Sequence, residues 1–81
     1  MLLPDKHIRL SESILGLSAF ALERLAEPRT LDSLWMALRT AQEDKSFPAE
    51  HGMDNLVLAV AFLFSIGVIA ESADGALAQC V

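Results

Sequence analysis

The stretch DNLVLAVAFLFSIGVIA, Asp54 to Ala70, carries no polar side chain between Leu56 and Phe64. An ordinary surface helix pairs an apolar stripe with a charged back, and this stretch has no charged back. Three environments suit it: a core, a bilayer, or a surface covered by another molecule. Counting Ser65 and Gly67, the uncharged run from Leu56 to Ala70 is 15 residues, whereas a span needs about 20. Asp54 and Glu71 bound it, and no basic cluster flanks it to set an orientation. A membrane role is therefore not expected. At about 100° per residue, Asp54 and Ser65 fall on one side of the helix, with Leu58 and Ala61 between them and Phe62 on the flank. Leu56, Ala59, Val60, Leu63 and Ile66 lie opposite. The second set reads as core, and Leu58, Ala61, Phe62 and Ser65 read as an outer, partner-binding surface.

Composition supports an apolar exterior. The 81 residues form one domain, 1–81, with a single small core. Hydrophobic residues make up 53%, or about 58% with the 4 glycines, against roughly 45–50% in ordinary domains on that count. A chain this small has proportionally more surface, so some of that apolar excess must face outward, where a contiguous patch marks an interface. Six Lys and Arg stand against 11 Asp and Glu, for a net charge of −5. No Lys or Arg follows Lys45. Phosphate is bound chiefly through clustered Lys and Arg, so direct, sequence-specific nucleic-acid binding is not expected.

From the beginning of the chain, Ile8 and Leu10 alternate with His7 and Arg9 after Pro4, the pattern of a short half-buried strand. The opening MLLPDKHIRL lacks an apolar run ending in a small-residue cleavage site, so no signal peptide and a cytoplasmic location are expected. A first helix is predicted from Glu12 to Ala26 with Ser11 as N-cap. Ile14, Leu17, Ala21 and Leu25 form its apolar line, widened by Leu15, Phe20 and Leu22. Gly16 sits on the other side, where close approach of another backbone would account for it, so it joins the candidate partner-binding residues. Glu27-Pro28-Arg29 ends the helix.

Thr30 then caps a second helix, with Asp32 in its first turn and Leu31, Leu34, Trp35 and Leu38 at i, i+3, i+4 and i+7. Trp35 reads as a core anchor, while Asp32, Met36, Arg39 and Glu43 face away. Charge, Pro48 and Gly52 make 43–53 a loop, pinned by Phe47. Asp54 is the expected cap of the third helix, and Gly67 the left-handed residue that ends it. Asp74-Gly75 between two short apolar segments signals a hairpin. Strand, three helices and hairpin together predict a mainly α fold with a small β-hairpin, a winged helix-turn-helix-like domain.

Chemistry is not legible. His7, His51 and Cys80 are far apart, with no metal-ligand spacing and no glycine-rich phosphate loop, so neither a metal nor a cofactor is expected. Ser11-Glu12-Ser13 reads as a capping segment and not as a nucleophile with its base. A winged helix usually reads DNA with its third helix, through Arg, Lys, Asn or Gln. Here that helix offers Leu58, Ala61, Phe62 and Ser65, and the wing carries Glu71 and Asp74. An apolar face of this kind suits a hydrophobic groove on a protein.

The opening LLPDKHIRLSESILGL, the PRTLDSLW entry to the second helix, and FPAEHGMDNLVLAVAFLFSIGVI with its acidic hairpin together resemble the small middle component of bacterial ABC three-component systems. The resemblance covers nearly the whole chain. It implies a winged-helix-like, non-catalytic adaptor encoded beside an SMC- or Rad50-like ABC ATPase and an effector protein, in anti-phage or anti-plasmid defence of the Lamassu kind. It assigns no catalytic residue. The alternative is a transcription-regulator-like winged helix acting as a homodimer, with the third or the first helix buried in the dimer.

Overall fold

A computed structural model describes residues 13–47 and 50–80. The strand expected at 6–10 lies outside them, as do Ser11 and Glu12. Helix α1 runs Ile14–Arg24, α2 Leu31–Glu43 and α3 Met53–Ser65. Strands β1 (Ile69–Glu71) and β2 (Leu77–Gln79) form an antiparallel hairpin in which Ile69 faces Gln79 and Glu71 faces Leu77. The protein is mainly helical with one small hairpin, in an order compatible with a winged helix-turn-helix.

Caps set the helix limits. Ser13, not Ser11, caps α1, its hydroxyl accepting the Gly16 N–H at 3.0 Å. Thr30 caps α2 as expected, accepting from the Ser33 N–H at 3.1 Å, and Asp32 lies in the favourable first turn. On α3 the N-cap is Gly52, with no side-chain cap bond, and Asp54 is instead a first-turn residue. A carboxylate there meets the positive end of the helix without closing a cap. At the other end Gly67 takes φ +77°. Its N–H bonds the Phe64 carbonyl at 3.0 Å while the Val68 N–H reaches Leu63 at 3.2 Å. That pair of bonds is a Schellman stop, which only a residue tolerant of positive φ makes cheaply.

The core gathers Leu17, Ala21 and Leu25 of α1, Leu34 and Leu38 of α2, and Leu56, Ala59, Val60 and Leu63 of α3, closed by Ile69 and Leu77 of the hairpin. Each fully buried leucine contributes about 1.5–3 kcal/mol relative to an exposed one. Met36 is 60% exposed, and Asp32, Arg39 and Glu43 face outward with it, as the period of α2 requires. Trp35 is only half-buried, packed at the edge of the core with the Arg39 guanidinium 6.0 Å from its ring. Phe47 does pin the 43–53 loop, its ring centroid 5.0 Å from that of Phe20.

The hairpin is tied down at several points. Arg29 and Leu77 exchange both backbone hydrogen bonds, at 3.0 and 2.8 Å, so the link between α1 and α2 adds a one-residue third strand to β2. Gln79 donates from its backbone to the Leu25 carbonyl at 3.1 Å and from its side chain to the Leu22 carbonyl at 2.6 Å. Leu25 is the C-cap residue of α1, and the Leu22 carbonyl also accepts the Leu25 N–H at 3.2 Å, so both bonds fall at the end of the helix. The wing is thereby anchored to the end of α1, and the segment leaving α3 is fixed with it.

Candidate interaction surface

Helix α3 divides into two faces of the same chemistry. Leu56, Ala59, Val60 and Leu63 are buried, while Leu58 is 56% exposed, Val57 45% and Phe64 39%. Ala61 and Ser65 are exposed, and Phe62 is half-buried on the flank. Of the expected partner-binding residues, the structure therefore gathers Leu58, Ala61, Phe62 and Ser65 on one outward face. The Ser65 hydroxyl turns back to the Phe62 carbonyl at 2.7 Å. Its polarity is spent within the helix, and the face it shares is the more apolar for it.

Three departures from expectation reshape this surface. Ile66, assigned to the core side, is 54% exposed, because it is the C-cap residue and the chain has left the helical phase there. Val57 and Phe64 extend the face on the side away from Phe62. A wheel centred between Asp54 and Ser65 contains them about as far from its middle as Phe62, on the opposite flank, so that signal was available. Gly16 is itself buried, together with Leu17 and Ser18. It adds nothing to the open surface, since α1 is enclosed over a wider arc than its apolar line implies.

Beside the α3 face lies a groove of about 320 Å³ between α1 and α3, lined by Leu15, Ser18, Ala19 and Leu22 on one side and Phe62, Leu63 and Ile66 on the other. The α1 residues stand at i, i+3, i+4 and i+7, one continuous row. Phe62 and Ile66 belong both to the groove and to the edge of the α3 face, which makes the two one apolar surface.

Charge is distributed unevenly around it. Arg24 and Arg29 line a separate hollow with Met36, Thr40 and Asp44, and Arg39 and Lys45 line another beside Gln42, Glu43 and Glu50. The Arg24 guanidinium lies 4.6 Å from the Phe20 ring centre and pairs with Glu23 at 3.1 Å, an exposed bridge worth little to stability. On α3 and the hairpin the only ionisable side chains are Asp54, Glu71, Asp74 and the Cys80 thiol. The Ser72 hydroxyl and the Ala76 N–H both donate to Asp74, holding its carboxyl below the ordinary range. Hydrogen bonds from Ser46 do the same for Asp44.

No reactive constellation emerges from the other polar residues. His51 is 7% exposed. Its backbone N–H donates to Gln42 Oε1 at 2.5 Å, its Nδ1 lies 3.1 Å from Asn55 Nδ2, and its ring stands 6.0 Å from that of Phe47. These contacts fasten the loop to the start of α3. Cys80 is exposed just beyond β2. Among the described residues no three His, Cys, Asp or Glu side chains are grouped to hold a metal ion. Nor is any described helix long and apolar enough to cross a membrane.

The chain matches no curated protein and no solved structure. A family model does match it, that of the ABC-three component (ABC-3C) system Middle Component 6, over residues 3–80. That span takes in all three helices and the hairpin, and with them the outward face of α3 and the groove beside it. The chain belongs to the ABC-three component system Middle Component 6 family, as a middle component of such a system.

Proposed function

We propose that the protein is a non-catalytic adaptor, bridging an SMC- or Rad50-like ABC ATPase and an effector in a bacterial anti-phage or anti-plasmid defence complex. Membership of a middle-component family supports a role beside other components. The observation that carries the adaptor reading is the outer face of α3, where Leu58, Val57 and Ile66 are each at least 45% exposed on a chain of 81 residues. So small a domain exposes a contiguous apolar face at a cost in solubility, and a protein partner is what covers it. The same face carries no Arg, Lys, Asn or Gln to read a base edge, and its neighbours are acidic, which disfavours the alternative of a DNA-binding regulator.

Co-expression of the three components of the system tests this. The parent chain should co-elute with the ATPase and the effector. Leu58→Asp should be lost from the complex, because a desolvated carboxylate without a counter-ion costs several kcal/mol, a hundredfold or more in affinity. A parent chain that elutes alone, or binds duplex DNA below micromolar concentration with a steep salt dependence, overturns the proposal.

A further inference from the structure

Among the described residues, Arg29 is a cation without a counter-ion. It is half-buried in the link between α1 and α2, and its Nε is enclosed with no hydrogen-bond partner. The one salt bridge among those residues joins Arg24 to Glu23. Glu27 and Asp32, the acids nearest to Arg29 in sequence, therefore leave it unpaired. Only the Nε of the group is enclosed, so its terminal nitrogens are open to a ligand. A partly desolvated guanidinium with unfilled donors is unfavourable in the free chain, and a carboxylate brought to its fork would relieve it.

That guanidinium lines a hollow of about 400 Å³ whose floor is apolar, made by Met36, Ala37 and Ala41 of α2. Ser33 stands at the Arg29 end and Asp44 at the other, about 16 Å further along the helix. Arg24 also lines the hollow, but it is already engaged, by Glu23 at 3.1 Å and by the Phe20 ring at 4.6 Å. The charge left over is that of Arg29. Nucleic acid would need several such cations in a row to hold its phosphates, and Asp44 would repel them. One free guanidinium beside an apolar floor suits a single carboxylate carried next to an apolar side chain.

No residue of α3 or of the hairpin lines this hollow, so it is separate from the outer face of α3. A bridging protein needs two such separate surfaces. We infer that the hollow along α2 is the second of them, receiving from another component of the system a segment with an Asp or Glu for Arg29 and an adjoining apolar side chain for Met36 and Ala37. This rests on the adaptor reading and specifies the chemistry of one partner.

The test immobilises the full chain and titrates each of the other two components over it. Arg29→Met, of similar length and uncharged, should weaken one of them at least about tenfold, the loss of a charge-assisted hydrogen bond. Arg29→Lys keeps the charge without the fork and should weaken it less. Binding of that component should also fall as salt rises. The melting temperature of free Arg29→Met should be unchanged or higher, since the guanidinium has no partner there. A residue that only supported the fold would lose stability and affinity together. Arg29→Lys also permits a direct reading of the ligand: a zero-length carbodiimide cross-link in the complex should join position 29 to an Asp or Glu of the bound component, identified by mass spectrometry.

Unchanged affinity of Arg29→Met for both components, a lowered melting temperature of that variant, or a complex of Arg29→Lys with no cross-link at position 29 would each overturn the inference. So would duplex DNA binding that depends on Arg29, or a parent chain that sediments as a dimer and is split by Arg29→Met. If Leu58→Asp breaks the complex while no Arg29 substitution changes it, the inference about the hollow falls and the adaptor reading stands. If the parent binds neither component, both fall.

Discussion

The two sides of α3 are made of the same residue types and live in different surroundings. Leu56 and Leu63 are at most 2% exposed, and Leu58, two residues from the first, is 56% exposed. Nothing in the hydrophobicity of these leucines separates them. What separates them is helical phase, and the phase is announced only by Asp54 at one end and Ser65 at the other. The inner side holds α1, α2 and the hairpin together. The outer side contributes little to that, and it is the surface proposed to meet a partner.

The strongest attempt to break this contrast is a pair of identical substitutions on opposite sides. Leu63→Asp buries a carboxylate among leucines, at a cost of several kcal/mol. An 81-residue domain has roughly 4–12 kcal/mol in total, so the variant should be unfolded. Leu58→Asp should change stability by no more than about 0.5–1 kcal/mol, mostly helix propensity. Far-ultraviolet circular dichroism and thermal melts of the two distinguish these outcomes. If Leu58→Asp also unfolds the chain, the outer side of α3 is part of the core.

A smaller effect sharpens the contrast by sampling a position between its extremes. Trp35 is half-buried against the core edge. Trp35→Ala should cost about half of the 3–5 kcal/mol lost with a fully buried aromatic, roughly 2 kcal/mol. In a domain of this size that lowers the melting temperature by roughly 10 °C. A loss as large as that of a fully buried aromatic would place the ring inside.

Much of the fold was legible because it rests on local rules. Thr30 with Asp32, the left-handed Gly67, the Asp74-Gly75 turn and the i, i+3, i+4, i+7 row of α2 each act through neighbours in sequence. The inner and outer residues of α3 followed from two polar markers, with Ile66 the exception, because phase ends where the helix does. Other features depend on contacts distant in sequence. The Arg29–Leu77 bridge, the hold of Gln79 on the end of α1, and the burial of His51 between Gln42 and Asn55 are tertiary facts. The groove is one as well: Ser18 gave no signal along α1, since its burial depends on how α3 lies against it. Asp54 was a plausible cap by residue type, but the chain enters the helix two residues earlier, through Gly52.

The smallest expected effect comes from the hairpin turn, where no core lies behind the side chain. Hydrogen bonds from the Ser72 hydroxyl and the Ala76 N–H favour the ionised form of Asp74, so its carboxyl titrates below the ordinary carboxylate range. A lowered value in the folded state means a contribution to stability that is present above the ordinary value and lost as pH falls through the folded one. Asp74→Asn should therefore be slightly less stable than the parent at neutral pH, with the gap closing in acid. Melts at neutral pH and near pH 3 report it, and a gap that widens in acid would show that these hydrogen bonds do not form.

Hydroxyl-radical footprinting with mass spectrometry tests the central claim most directly, comparing the chain alone with the co-expressed complex of its system. Leu58, Phe64 and Ile66 should be oxidised readily in the free chain and protected in the complex, while Leu56 and Leu63 are protected in both. Equal oxidation of Leu58, Phe64 and Ile66 in the two samples, or their protection in the free monomer, would contradict it.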